Sequence, residues 1–173
     1  MDSRWLVPSA IVLSAGAAVH AEQYLTVAEA QTVMFPGQRF TAATFVLTPD
    51  QAREISRVTG VRVRNNEVHA WRAESGAMFF VDEVVGKHEF ITWALGVNAD
   101  GSVKAVEILD YRETYGAEVR DPKWRAQFVG KAYGAELRLN RDIRNISGAT
   151  LSCRHLTDGV KRLLATYAVV FKH

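Results

Sequence analysis

A run of closely spaced β-type segments between residues 68 and 111 constrains the fold most. "VHAWRA" (68–73), "MFFVDEV" (78–84), "EFITWALGV" (89–97) and "SVKAVEILDY" (102–111) have strand lengths and are rich in aromatic and β-branched residues. The turn Asn98-Ala99-Asp100-Gly101 joins the last two segments as a hairpin. This meander predicts a twisted, mostly antiparallel sheet.

Two short helices are predicted before the meander, each from a capping box. Thr26-x-x-Glu29 opens the first, and Thr48-x-x-Gln51 opens the second with Pro49 at its first position. Further strands are predicted at 39–47, between the two helices, and at 61–63, after Gly60 ends the second helix.

Two more helices are predicted after the meander. Asp121-Pro122 begins the first of them, with Trp124 and Phe128 one turn apart on its buried side. The last helix is expected to begin near Ser152, with Ser152 as its cap. Its apolar stripe comprises Leu156, Val160, Leu163, Leu164, Tyr167 and Phe171. The predicted fold class is therefore α+β: a twisted, mostly antiparallel sheet with packed helices in a single domain.

The N-terminus has the pattern of an export signal. Arg4 precedes the apolar run "WLVPSAIVLSAGAAV", and Val19-His20-Ala21 suits cleavage after Ala21. The run is short for a bilayer span, although an uncleaved anchor is the alternative. We therefore expect residues 1–21 to be a signal peptide and the mature protein to be periplasmic, either free or associated with the inner membrane.

Charge and metal-ligand composition exclude several classes of function. The net charge is +2 with no basic stripe, which argues against nucleic acid as a partner. The single cysteine, Cys153, allows neither an internal disulfide nor c-type haem attachment. The histidines are too scattered to suggest a metal site.

The most informative short motif is Ser147-Gly148-Ala149-Thr150, directly before the last helix. A helix N-terminus favours anions because its first N–H groups lack intrahelical partners and its dipole is positive there. Gly148 and Ala149 leave room for a large group, and Thr150 places a hydroxyl at this terminus. The alternative is an ordinary helix entry, in which Ser and Thr are common caps.

"NISGATLS" (145–152) closely resembles the flavinylation motif of the FMN-binding domain family, which includes small flavin subunits of sodium-pumping NADH:quinone reductases and Rnf complexes. "YRETYGAEV" (111–119) resembles the family's upstream Glu-Thr-Pro-Gly loop, with Tyr115 in place of the proline. Trp124, Phe128 and Gly130 repeat a family spacing, and the hairpin around residues 98–101 is typical of it. The resemblance covers roughly residues 76–170.

The resemblance implies FMN bound covalently through a phosphoester to Thr150. It also implies attachment from FAD by a separate, exported flavin transferase that uses magnesium, and a membrane or periplasmic redox partner protein. The implied cofactor-binding residues come from the motif and the upstream loop: Thr150, Ser147, Gly148, Ala149, Leu151, Ser152, Glu113, Thr114, Tyr115 and Gly116. Residues 76–173 would form the FMN-binding domain, and residues 22–75 an N-terminal extension packing on its core.

This chain departs from the family pattern six residues before the modified threonine. Arg144 stands where an aspartate is frequent, and Asp142, two residues earlier, is the candidate to replace it. Arg144, Arg154 and Lys161 are candidate partners for phosphate or reduced flavin, or else solvated charges. Cys153 either touches the flavin or fills the core.

The sequence contains no recognisable set of catalytic side chains, so we predict no independent reaction. The resemblance implies an exported electron carrier whose working part is its flavin. Two alternatives remain open. One is a periplasmic flavin reductase that uses non-covalent FMN. The other is a non-redox binding or assembly module that has lost the flavin.

Overall fold

The computed structural model describes residues 22–23, 25–112 and 116–171, which form an antiparallel sheet with helices against both faces. The strands are β1 (Glu22–Gln23), β2 (Phe40–Ala42), β3 (Phe45–Val46), β4 (Glu67–Ala73), β5 (Met78–Val85), β6 (Phe90–Val97) and β7 (Val103–Tyr111). The helices are α1 (Val27–Met34), α2 (Pro49–Thr59), α3 (Pro122–Arg125) and α4 (Thr150–Phe171). The α+β prediction is confirmed.

The strand order is β1-β7-β6-β5-β4-β2, with β3 also pairing with β4. The strands β4, β5, β6 and β7 form the predicted meander, and β1 adds an edge through Glu22 opposite Tyr111. All of these pairings are antiparallel. Residues 22–75 therefore supply four of the strands, so they are continuous with the sheet that carries the meander.

Each face of the sheet has its own apolar cluster, because side chains alternate along a strand. Phe80 and Trp93 belong to the cluster that α2 and α4 cover, whereas Phe79 belongs to the cluster that α1 covers with Met34 and Phe35. The long helix α4 lies close to the sheet: a Cβ built on Gly159 would fall 2.7 Å from the Trp93 ring.

Both predicted capping boxes form. The Thr26 and Thr48 hydroxyls accept hydrogen bonds from the backbone N–H of Glu29 and Gln51, whose side chains accept from the threonine N–H in return. Gly60 ends α2 in the left-handed conformation, with φ of 69°.

Two strand predictions need correction. The segment 39–47 is not one strand but two short ones, β2 and β3, which pair separately with β4. The segment 61–63 is not a strand, because side chains of α2 take its backbone donors. Val61 N–H donates to Thr59 Oγ1 at 3.0 Å, and Val63 N–H to Ser56 Oγ at 3.1 Å.

The helix predicted from Asp121-Pro122 is also shorter than expected. After one turn, α3 continues as a 3₁₀ segment, Ala126–Phe128. Trp124 and Phe128 are nevertheless both buried, with ring centroids 5.2 Å apart in an edge-to-face arrangement. Among the described helices, none has the length and apolar character needed to cross a bilayer.

Candidate functional site

The first three residues of the tetrad lie in a tight turn, residues 146–149, and the fourth begins α4. Ala149 N–H donates to the Ile146 carbonyl at 3.0 Å, and Gly148, at the third position of this turn, has φ of 87°. A positive φ at that position is the mark of a type II turn and favours glycine. A Cβ built on Gly148 would meet no atom within 4 Å. The surface in front of the turn is therefore open.

Thr150 is the first residue of α4 and is exposed. The Ala149 carbonyl accepts from Cys153 N–H at 2.9 Å, so Ala149 occupies the cap position. The prediction that the helix begins near Ser152 and that Ser152 caps it is wrong. The turn brings the chain into the helix two residues earlier, and Ser152 is buried in the first turn, while Leu151 is exposed.

Asn145 contacts the Thr150 hydroxyl. Its Nδ2 donates to Thr150 Oγ1 at 3.1 Å, across five residues of chain. Its other amide atom, Oδ1, is buried and makes no hydrogen bond to the described residues. The sequence did not single out Asn145, whose only signal is an amide side chain just before the motif.

Helix α3 and the 3₁₀ segment that follows it hold the backbone of residue 144. Trp124 Nε1 donates to the Arg144 carbonyl at 2.7 Å, and Arg144 N–H donates to Gln127 Oε1 at 2.8 Å. Both backbone groups next to Asn145 are therefore fixed by side chains of a separate element. Gln127 is a second residue that the sequence did not identify.

The upstream loop reaches the tetrad at Gly116. Its φ is 79°, and a Cβ built on it would lie 2.8 Å from Ser152 Oγ and 3.5 Å from Ala149 Cα. The structure thus brings Gly116 together with two residues of the motif, as expected of a shared site. Glu113, Thr114 and Tyr115 lie outside the described residues.

Two comparisons with known proteins bear on this site. Residues 86–165 match the FMN-binding domain family. They include Thr150 and Gly116. Residues 86–165 are a domain of the FMN-binding family.

A similarity to one relative extends over more of the chain than the family match. Over 146 residues the chain is 28% identical to a protein of Pasteurella multocida (strain Pm70), one of the subunits of its Na(+)-translocating NADH-quinone reductase. The aligned part makes up 70% of this chain and 56% of that relative. The chain thus spans little more than half of that relative's length.

The residues of the FMN-binding domain fit a phosphorylated flavin at Thr150. The hydroxyl is exposed, the surface before Gly148 is open, and N–H groups of the first turn of α4 face the same end. One open cleft of about 450 Å³ is lined by Asn145 and another of about 530 Å³ by Ala117, next to Gly116, although no tetrad residue lines either cleft. Such volumes suit small-molecule ligands.

The candidate charged partners differ in their distance from Thr150. Arg154 is exposed one turn along α4. Lys161 is eleven residues along, about 16 Å at about 1.5 Å per residue, which is too far for a phosphate on Thr150. Arg144 has an exposed side chain, and its backbone makes the contacts with Trp124 and Gln127.

Asp142 does not reach the tetrad but organises the preceding loop. Its carboxylate accepts from the N–H groups of Leu137 and Arg138 and pairs with Lys131 Nζ at 2.8 Å. Partial burial raises the pKa of Asp142, but the hydrogen bonds, of which that from Lys131 is the strongest, outweigh it and hold the pKa below its usual value.

Cys153 packs in the core and is fully buried. Burial raises the pKa of its thiol, so it stays protonated at neutral pH. Among the described residues, no three His, Cys, Asp or Glu side chains converge where they could hold a metal ion.

Proposed function

We propose that this protein is an exported electron-transfer protein that carries FMN through a phosphoester to Thr150. The observation that carries the proposal is the exposed Thr150 hydroxyl at the start of α4, in the FMN-binding domain, with open space before Gly148. Ser147, Gly148 and Ala149 supply the turn, Ser152 and Gly116 pack behind it, and Leu151 lies beside it on the surface.

Attachment requires a partner, an exported flavin transferase that uses FAD as the donor and magnesium. The Thr150 oxygen forms a bond to the FMN phosphorus, the pyrophosphate bond of FAD breaks, and AMP leaves. The hydroxyl proton passes to the transferase or to solvent. The product is a phosphodiester with one negative charge, which the N-terminus of α4 stabilises by about 0.3–1 kcal/mol.

The covalent bond makes the cofactor permanent. An exported protein meets little free FMN, and a dissociable flavin would be lost by dilution. Bound flavin supplies one- and two-electron chemistry. The chain's residues hold it at the N-terminus of α4, next to the loop that ends at Gly116, where Glu113, Thr114 and Tyr115 are candidate ring contacts.

The electron-transfer role and location rest on the relative and on the N-terminal segment. The relative is a subunit of an NADH-quinone reductase, which supports a membrane or periplasmic redox protein as partner. Residues 1–21 have the export pattern but lie outside the described residues. Sequencing the mature N-terminus tests export, with Glu22 as the expected first residue.

The central test is co-expression of the protein with an exported flavin transferase, followed by acid precipitation. We expect yellow, acid-stable protein from the wild type and from Ser147→Ala, some flavin on Thr150→Ser, and none on Thr150→Ala. Peptide mapping should place FMN, less one water, on the fragment with Thr150. FMN released by acid from the wild type would favour a flavin reductase with non-covalent cofactor. Protein without any flavin would favour a non-redox module.

A further inference from the structure

We infer that Asn145 positions and polarises the Thr150 hydroxyl for flavin attachment. The inference rests on the proposed function. It starts from the 3.1 Å hydrogen bond between Asn145 Nδ2 and Thr150 Oγ1.

The direction of this hydrogen bond matters for the reaction. The amide donates to Oγ1, so the hydroxyl hydrogen and the remaining lone pair point away from Asn145, and Thr150 is exposed, which leaves them accessible to a transferase. As Oγ1 loses its proton and attacks phosphorus, negative charge develops on it. A donated hydrogen bond stabilises that charge, and a fixed rotamer aligns the nucleophile.

The backbone that precedes Asn145 is held in place by two side chains. Trp124 and Gln127 bind the backbone of residue 144, which fixes the direction in which the Asn145 side chain leaves the chain. The amide oxygen is buried, while the amide nitrogen contacts Thr150. Because the preceding backbone is fixed and the amide oxygen is buried, the Asn145 side chain loses little conformational freedom when it orients the hydroxyl. The hydroxyl of an exposed threonine is otherwise free to rotate.

Aspartate at this position would have the opposite effect. It has the shape of asparagine, but it replaces the donor by a carboxylate. A negative charge near Oγ1 opposes both deprotonation and the approach of an anionic pyrophosphate. Asn145→Asp should therefore be at least as harmful as Asn145→Ala.

The experiment measures the rate of attachment on folded protein made without flavin. Apo wild type and variants are incubated with purified flavin transferase, FAD and Mg²⁺, and acid-stable fluorescence is followed with time. For Asn145→Ala we expect kcat to fall on the order of tenfold, less than the 10²–10³ typical of an enclosed oxyanion donor. The KM for the carrier protein should stay unchanged. Asn145→Gln, which keeps a donor on a longer side chain, should recover part of the rate.

A matched control separates positioning from stability. Asn98 Nδ2 donates to Ser102 Oγ at 3.0 Å in a turn remote from Thr150, so Asn98→Ala also loses one amide–hydroxyl hydrogen bond. It should attach flavin at the wild-type rate. Wild-type kcat in folded Asn145→Ala and Asn145→Asp would overturn the inference, as would an unchanged kcat with a raised KM. A wild type that accepts no flavin would instead overturn the proposed function.

Discussion

Two glycines at the site meet different physical demands. Gly148 and Gly116 both have positive φ, at 87° and 79°, which residues with a Cβ adopt only at a cost. In front of Gly148 there is open space, whereas Gly116 is packed against Ser152 and Ala149. Gly148 therefore shapes the turn and leaves room, and Gly116 allows the upstream loop to approach the tetrad closely.

This difference predicts the effect of Gly116→Ala. The new Cβ would add a 2.8 Å contact with Ser152 Oγ to the backbone strain. We expect a loss of about 2–4 kcal/mol in the free energy of unfolding, as strain and overpacking add. Flavin attachment at Thr150 should also fall. Urea denaturation measures the first effect and acid-stable fluorescence the second.

Gly130→Ala is the matched control for this change. Gly130 has the same φ of 79°, but a Cβ there would meet no atom within 4 Å. It should lose only the strain contribution, about 1 kcal/mol, and keep its flavin. An equal decrease in the free energy of unfolding in the two variants would show that the close contact with Ser152 does not contribute to the destabilisation.

At the residue scale, the sequence predicts features that are contained in a few consecutive residues. The tetrad is a contiguous pattern of small and hydroxyl residues, so it can be recognised from the residues alone. The contact from Asn145 to Thr150 depends on the turn between them and on a clamp from Trp124 and Gln127. A short sequence motif does not indicate the hydrogen bond between Asn145 and Thr150. The cap prediction for Ser152 is wrong because Ser is a good cap in general, while here the turn starts the helix earlier.

At the scale of structural elements, the conformation of the loop before the tetrad depends on one carboxylate, that of Asp142. Leu137 and Asn140 have positive φ, at 43° and 61°, a conformation that asparagine tolerates but that is unfavourable for leucine. The Asp142 carboxylate compensates by binding two backbone N–H groups and Lys131. This loop leads directly into Arg144 and Asn145.

Asp142→Asn should lower stability in a pH-dependent way. The folded pKa of Asp142 is held below its usual value, so its contribution is complete above the unfolded pKa of about 3.9 and is lost as pH falls through the folded pKa. We expect the variant to be less stable by about 1–2 kcal/mol at pH 7, and this difference to shrink below about pH 4. Urea denaturation at pH 7, 5 and 3 measures it.

Asp50→Asn serves as the control, because Asp50 is an exposed carboxylate on α2 paired with Arg53 one turn along the same helix. Exposed ion pairs contribute little, so this variant should unfold like the wild type at pH 7. A stability difference for Asp142→Asn that stays constant between pH 7 and pH 3 would contradict the assignment of its carboxylate charge to the loop.

Element predictions succeed where the signal is contained in a few residues. The capping boxes of α1 and α2 close within four residues and form as predicted. The segment 61–63 has strand composition, but pairing needs a partner strand, and α2 takes its donors first. Composition alone cannot show that competition.

Over the whole molecule, the residues before the family match complete the sheet. β4 lies beside β5, with Ala70 opposite Phe80, and α2 packs on α4. On the other face, α1 covers Phe79, Ala94 and Leu109. The division at residue 75 drawn from the sequence follows the extent of the family resemblance. In the structure, both apolar clusters cross that division.

This arrangement predicts that residues 76–173 do not fold cooperatively alone. Removing residues 22–75 deletes β4, the strand that pairs with β5. It also deletes α1, which covers one apolar cluster, and α2, which packs on α4. Each loss exposes apolar side chains that are fully buried in the whole chain, such as Phe79, Phe80 and Leu95. Burial of one such side chain contributes about 1.5–3 kcal/mol, so exposing several removes an amount comparable with the usual stability of about 5–15 kcal/mol for a domain.

Thermal and urea unfolding of the chains 22–173, 25–173 and 76–173, followed by circular dichroism, tests the prediction. Chain 25–173 is the control, because it lacks only β1, which pairs with two residues of β7, and it should unfold within a few degrees of 22–173. Chain 76–173 should show no cooperative transition and should take up no flavin from the transferase. A sigmoidal transition with a large denaturant dependence for 76–173 would contradict the prediction. It would mean that β5, β6, β7 and α4 fold as a core without residues 22–75.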